Sequence, residues 1–170
     1  MNKRLYDDFV CDTIISYNTK NVVIKELKYD NNKSNKIKNI SDGIYIVIAY
    51  KHYHLRYIRN KQMYYIDSKN FPHLNEGRQI RIKYEYSQKD DYSCGTWTIL
   101  FALYLLKNPN NIEIMNEVNF SSLVDIIHPI LYKYNMLYIE NKCSLDEKKR
   151  FELFNDLHKE LKQYKLTLIK

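Results

Sequence analysis

Cys94 and Gly95 stand where the polar run QKDDYS meets the apolar run TWTILFALYLL. A cysteine acts as a nucleophile when its thiolate is stabilised, and the unpaired N–H groups and dipole at a helix start do this. An apolar run of this length reads as a buried helix that begins at the cysteine. Gly95 would allow close approach of a substrate backbone. The Cys94 N–H would be free to point at a developing oxyanion. A cysteine in this place is also, and more commonly, a small core hydrophobe. Catalysis further requires a base and a group that orients the base.

Upstream, HYHLRYI and MYYID flank the polar RNKQ, which is the pattern of a β-hairpin. His52 and His54 then share one face of the first strand. A turn centred on Asn60-Lys61 sets Asp67 roughly opposite His54 and within diagonal reach of His52. A carboxylate one strand away from an imidazole is the arrangement that fixes the tautomer of a basic histidine. Either histidine meets this description. Gln88, six residues before Cys94, carries a side-chain amide that can serve as a second oxyanion donor. Each residue also has a plainer reading. A strand histidine packs, Asp67 opens a turn, and Gln88 is an exposed loop residue. Their order, with each at the right end of the right element, favours a thiol site.

The rest of the chain must position these residues. Residues 5–17 read as a short helix and residues 21–29 as an extended segment. Residues 30–43 are polar and read as a mobile loop. IYIVIAY, residues 44–50, reads as a buried central strand. RQIRIKYEY places Ile80, Ile82, Tyr84 and Tyr86 on one face of a half-buried strand. Residues 119–140 read as a helix interrupted before Pro129. In the last helix, residues 144–164, Ser144 and Glu147 form a capping box. Leu145, Phe151, Phe154, Leu157 and Leu161 mark its apolar face. There are no repeats and no linker, so residues 1–170 read as one domain. The class expected is α+β, with a central, mainly antiparallel sheet flanked by helices.

The stretches HYHL, YYIDS and QKDDYSCGTW, taken together, resemble the signature of the ubiquitin-like protease family of cysteine peptidases. Residues 5–106 carry the resemblance. It implies a papain-like core and cleavage of ubiquitin or a ubiquitin-like protein after its C-terminal glycine. It also implies His52 rather than His54 as the base, with Asp67, Gln88 and Cys94 completing the site. Tyr53 stands where the family usually has Trp, and so would wall the channel for the substrate's terminal glycines. Ser93 replaces a common Asp. Trp97 falls on the first turn after Cys94, where core packing is the first expectation and substrate contact the second. Three other functions fit parts of the pattern: a viral polyprotein maturation protease, an effector acetyltransferase using the same thiol, and a basic nucleic-acid-binding module.

The net charge is +7, and 17 of the 170 residues are tyrosine. A weakly bound acidic partner fits that charge, although a solvated basic surface explains it equally. Stacking of nucleic acid on exposed tyrosines is the corresponding binding reading. Cys11, Cys94 and Cys143 are odd in number and widely spaced, so neither a disulfide framework nor a cysteine-based zinc site is expected. That favours a reducing compartment, the cytoplasm or a host cytosol. No signal peptide or membrane span is expected, a monomer is, and thiol chemistry needs neither metal nor organic cofactor.

Overall fold

The computed structural model describes residues 3–29, 41–73, 77–141 and 146–164. Two tight turns set the register of its sheet. Strands β2 (Gly43–Ala49) and β3 (His52–Arg59) meet at Tyr50-Lys51, and β3 meets β4 (Gln62–Ile66) at Asn60-Lys61. All four turn residues have positive φ, between 51° and 64°. This is the turn whose twist matches paired strands. Asp42 secures the second turn by accepting from the backbone N–H groups of Asn60 (2.8 Å) and Lys61 (3.3 Å).

The sheet has five strands in sequence order. β2, β3 and β4 pair antiparallel, as expected. The flanking strands β1 (Ile24–Tyr29) and β5 (Arg78–Gln79) join them in parallel, so the sheet is mixed at both edges. β5 is shorter than the alternation in RQIRIKYEY suggested. Ile80 and Ile82 are buried, but the chain then turns into a short 3₁₀ segment, Tyr84–Tyr86, and Tyr84 is 84% exposed. Alternation reported burial correctly for two residues and could not report where the strand ended.

Side-chain alternation along β3 divides its residues between two environments. Tyr53, Leu55 and Tyr57 join the hydrophobic core, while His54 and Arg56 lie on the other face, also buried. Helix α2 (Cys94–Lys107) packs against β3 and is buried along its whole length short of Lys107. An apolar surface on every side of a helix requires neighbours on every side. These are the sheet, α1 (Asp7–Ser16) and α3 (Phe120–Asn141).

α3 runs unbroken through Pro129, contrary to the expected interruption. Proline removes one backbone bond and crowds the carbonyl of Asp125. Asp125 is exposed, so water can meet that carbonyl, and buried Ile127, His128 and Leu131 hold the helix against the core on both sides. α4 (Glu147–Lys162) is capped by Asp146, whose carboxylate accepts from the Lys148 N–H at 3.0 Å. Ser144, Leu145 and Cys143 lie outside the described residues, as does most of the expected loop at 30–43. The buried stripe of α4 is Leu153, Phe154, Leu157 and Leu161, and Phe151 faces water at 67% exposure. Among the described residues, no helix is long and apolar enough to cross a membrane.

Candidate active site

The hairpin and the start of α2 converge on one constellation. His52 is the first residue of β3, and Asp67 follows the last residue of β4. His52 Nε2 lies 2.8 Å and 2.9 Å from the two Asp67 carboxylate oxygens. With Nε2 engaged there, Nδ1 is the ring nitrogen left to face Cys94, whose side chain acts electrostatically on His52. Burial lowers the proton affinity of His52. The hydrogen bonds and negative charges of Asp67 and Cys94 outweigh it and push the imidazole up to about 9. The site therefore favours the imidazolium form of His52, set between the Asp67 carboxylate and Cys94.

Asp67 is fully buried, which alone would raise its pKa. Bonds from His52 and His73 and the Lys69 N–H (2.8 Å) reverse this and hold the carboxyl well below the usual range. His73, which belongs to no motif in the sequence, reaches the same carboxylate. Its Nε2 lies 2.8 Å from Asp67 Oδ2. The only local signal for it was an imidazole soon after a strand-ending Asp-Ser.

The loop before Cys94 is organised by Asp90, also missed in the sequence reading. Its carboxylate accepts from the N–H groups of Tyr92 (2.9 Å) and Ser93 (2.7 Å) and from the Ser93 hydroxyl (2.7 Å). A loop Asp that bonds N–H groups two and three residues on is a recognisable turn signal, and KDDYS carries it. Ser93 precedes α2 yet makes no side-chain cap, because its hydroxyl is spent on Asp90. The first N–H groups of α2 are thus left uncapped by Ser93, at the point where an oxyanion would develop.

Gln88 is buried in this loop rather than exposed. Its carbonyl oxygen accepts from Ser68 Oγ at 2.5 Å, and its amino group donates to the Asp90 backbone oxygen at 2.9 Å. The Gln88 N–H also reaches the Ser68 carbonyl at 2.8 Å. This ties the loop before Cys94 to the residue after Asp67. Phe71, 47% exposed, leans over His52 with ring centroids 5.1 Å apart. It too was missed, since a lone Phe in a polar loop carries no pattern.

Two expected substrate contacts, Tyr53 and Gly95, lie in the core, and Trp97 takes the core packing expected of it first. Tyr53 has no exposed surface, and its hydroxyl donates to the Leu5 carbonyl at 2.9 Å and to Asp7. It joins the start of α1 to the sheet rather than walling a channel. Trp97 is 2% exposed and packs on Phe101. Gly95 lets α1 approach α2, because a Cβ there would lie 3.2 Å from Leu5 Cβ and from Val10 Cγ2. Tyr53→Phe is accordingly expected to cost about 1–2 kcal/mol by stranding the Leu5 carbonyl. Its melting temperature should fall while KM stays within about twofold of wild type. A large KM rise with unchanged melting would restore the substrate role.

His54 is 1% exposed and stacks on His73, with centroids 3.7 Å apart. His128 bonds Thr96 (2.7 Å) and His158 bonds Ser16 (2.8 Å), so both tie helices together. Cys11 donates to Glu26, and burial pushes its thiol up, which is the setting of an unreactive cysteine.

The fold and site define an α+β protein that presents a Cys–His–Asp array at the start of its buried helix. No family model and no curated protein matches the chain. Among solved structures it is similar to the crystal structure of the de-sumoylating protease. The two are 12% identical over 94% of this chain and 90% of that chain, with a TM-score of 0.51. This likeness is one of fold.

Proposed function

We propose that the protein is a cysteine isopeptidase that cleaves ubiquitin or a ubiquitin-like protein after its C-terminal glycine. The observation that carries this reading is His52, held by Asp67 on one side and interacting electrostatically with Cys94 at the start of α2 on the other. The Cys94 thiolate attacks the glycine carbonyl. The Cys94 N–H and the Gln88 amide stabilise the oxyanion, with one Gln88 N–H turning from Asp90 when substrate is present. His52 protonates the departing lysine amine, and water, activated by the now neutral His52, hydrolyses the thioester. Cys94 is only 1% exposed. A thiol this deep suits a slender acyl group such as a glycine tail. The fold shared with the de-sumoylating protease supports the same substrate class. The nucleic-acid reading is narrowed to exposed residues such as Tyr50 and Tyr84, because Tyr45, Tyr53, Tyr57, Tyr64, Tyr65, Tyr104, Tyr134 and Tyr138 are buried.

The test is labelling with ubiquitin and SUMO-type proteins that end in a thiol-reactive group. One adduct on Cys94, located by peptide mass mapping, supports the reading and identifies the modifier. Reaction only with a viral-type peptide substrate, or acetyl transfer from acetyl-CoA with no adduct, replaces it. His52→Ala is expected to lower turnover by about 10²- to 10⁴-fold, and His54→Ala to act mainly through stability. The reverse ranking would make His54 the base.

A further inference from the structure

Three of the chain's five histidines gather around Asp67, where a catalytic carboxylate needs one. His52 is accounted for by Cys94. His54 and His73 are the surplus. One donor atom from each of His54, Asp67 and His73 lies within 4.8 Å of the other two. We propose that these three residues form a binding site for a divalent transition ion of the zinc class, sharing its carboxylate with the catalytic constellation.

Two imidazoles and a carboxylate are the donor set of open, three-ligand zinc sites. Bonds of about 2.0–2.2 Å bring such donors roughly 3–3.5 Å apart, so the two imidazoles, stacked 3.7 Å apart at 16°, must turn out of their stack to aim their lone pairs at one ion. The rings are already ordered. Tyr65 packs roughly perpendicular to both, at centroid distances of 6.3 Å to His54 and 5.2 Å to His73, and its hydroxyl accepts from the His73 backbone N–H at 3.1 Å. These contacts fix the His73 backbone and hold both rings beside the carboxylate. The His73 side chain is 18% exposed, which leaves an approach for the ion and a position for water. His54 and Tyr65 belong to the sheet face away from the α2 core, so the ion shares Asp67 with His52 without requiring the thiol. On binding, the ion takes the lone pair of one nitrogen from each ring. If that nitrogen of His73 is Nε2, its proton moves to Nδ1 or to solvent.

A double positive charge on Asp67 weakens its hold on the His52 imidazolium, so occupancy inhibits the thiol chemistry. This second half rests on the isopeptidase reading, and the binding itself does not.

The experiment titrates Co²⁺ and Zn²⁺ into the full chain without substrate, by visible absorption and calorimetry. Wild type and Cys94→Ala are both expected to bind one equivalent, with no thiolate-to-cobalt charge-transfer band. His73→Gln and His54→Gln should each weaken binding at least about tenfold. His73→Gln lies in a half-exposed loop, and its unchanged circular dichroism would certify the fold. Absence of binding, binding that survives both histidine changes, or loss in Cys94→Ala would overturn the site. If hydrolysis is established, zinc should slow wild type more than His73→Gln. Equal slowing would overturn the inhibitory half and leave the binding result standing.

Discussion

Cys94→Ala is expected to abolish turnover, with a loss on the order of 10⁶-fold, the size that follows removal of a covalent nucleophile. The sulfur is the atom that would bond the substrate carbon, and alanine offers nothing in its place. Residual rate can come only from the oxyanion donors and from binding. The fold should survive, because the change removes one buried sulfur from the first turn of a helix whose other apolar residues stay buried. The circular dichroism spectrum should match wild type, and the variant should still hold its substrate non-covalently. Cys11→Ala is the control, since that thiol bonds Glu26 and is pushed up by burial. Turnover of a fluorogenic modifier substrate decides it. Hydrolysis retained in Cys94→Ala would end the thiol mechanism.

Asp67→Asn carries the second large effect. Asparagine keeps the shape and loses the charge. It also turns an NH₂ toward one of two histidines or the Lys69 N–H, so a donor meets a donor. Turnover near neutral pH should fall by about 10³- to 10⁴-fold, as when an orienting carboxylate becomes an amide. The pH profile is the sharper readout. In wild type, activity should fall on the alkaline side near the His52 value of about 9. Without Asp67 the burial effect is opposed less, so the alkaline limb should move down toward 6.5 or below.

The same shifts set the pH range of stability. His52 is raised above its ordinary value of 6.5. Its contribution is therefore complete below 6.5 and is lost as pH rises through about 9. Asp67 is depressed below its ordinary 3.8, so its contribution is present above that value and lost as pH falls below it. Denaturant midpoints measured against pH should flatten in Asp67→Asn at both ends. An unchanged alkaline limb of activity in this variant would show that Asp67 does not act through His52.

The hairpin and the buried helix were legible in the sequence because each depends on a local pattern. Apolar residues on all sides of TWTILFALYLL require burial wherever the helix lies. A two-residue polar turn between β-rich runs fixes which residues face one another, and so Asp67 could be set against the histidine pair His52 and His54 from spacing, while only the family resemblance singled out His52. Cys94 at the helix start followed from the change in polarity at that point. Pro129 and the end of β5 were misjudged, because tertiary contacts decided them against local preference.

The sequence by itself determined the α+β class, a strand histidine within reach of Asp67 and Cys94 at a helix start, since turn geometry and hydrophobic periodicity act over short stretches of chain. Only the tertiary structure decided that Tyr53 and Gly95 face the core, that Asp90 shapes the loop before Cys94, and that His73 and His54 close on Asp67. Those outcomes depend on which elements pack together. Packing is set by the summed burial of many distant residues, and no short motif contains that sum.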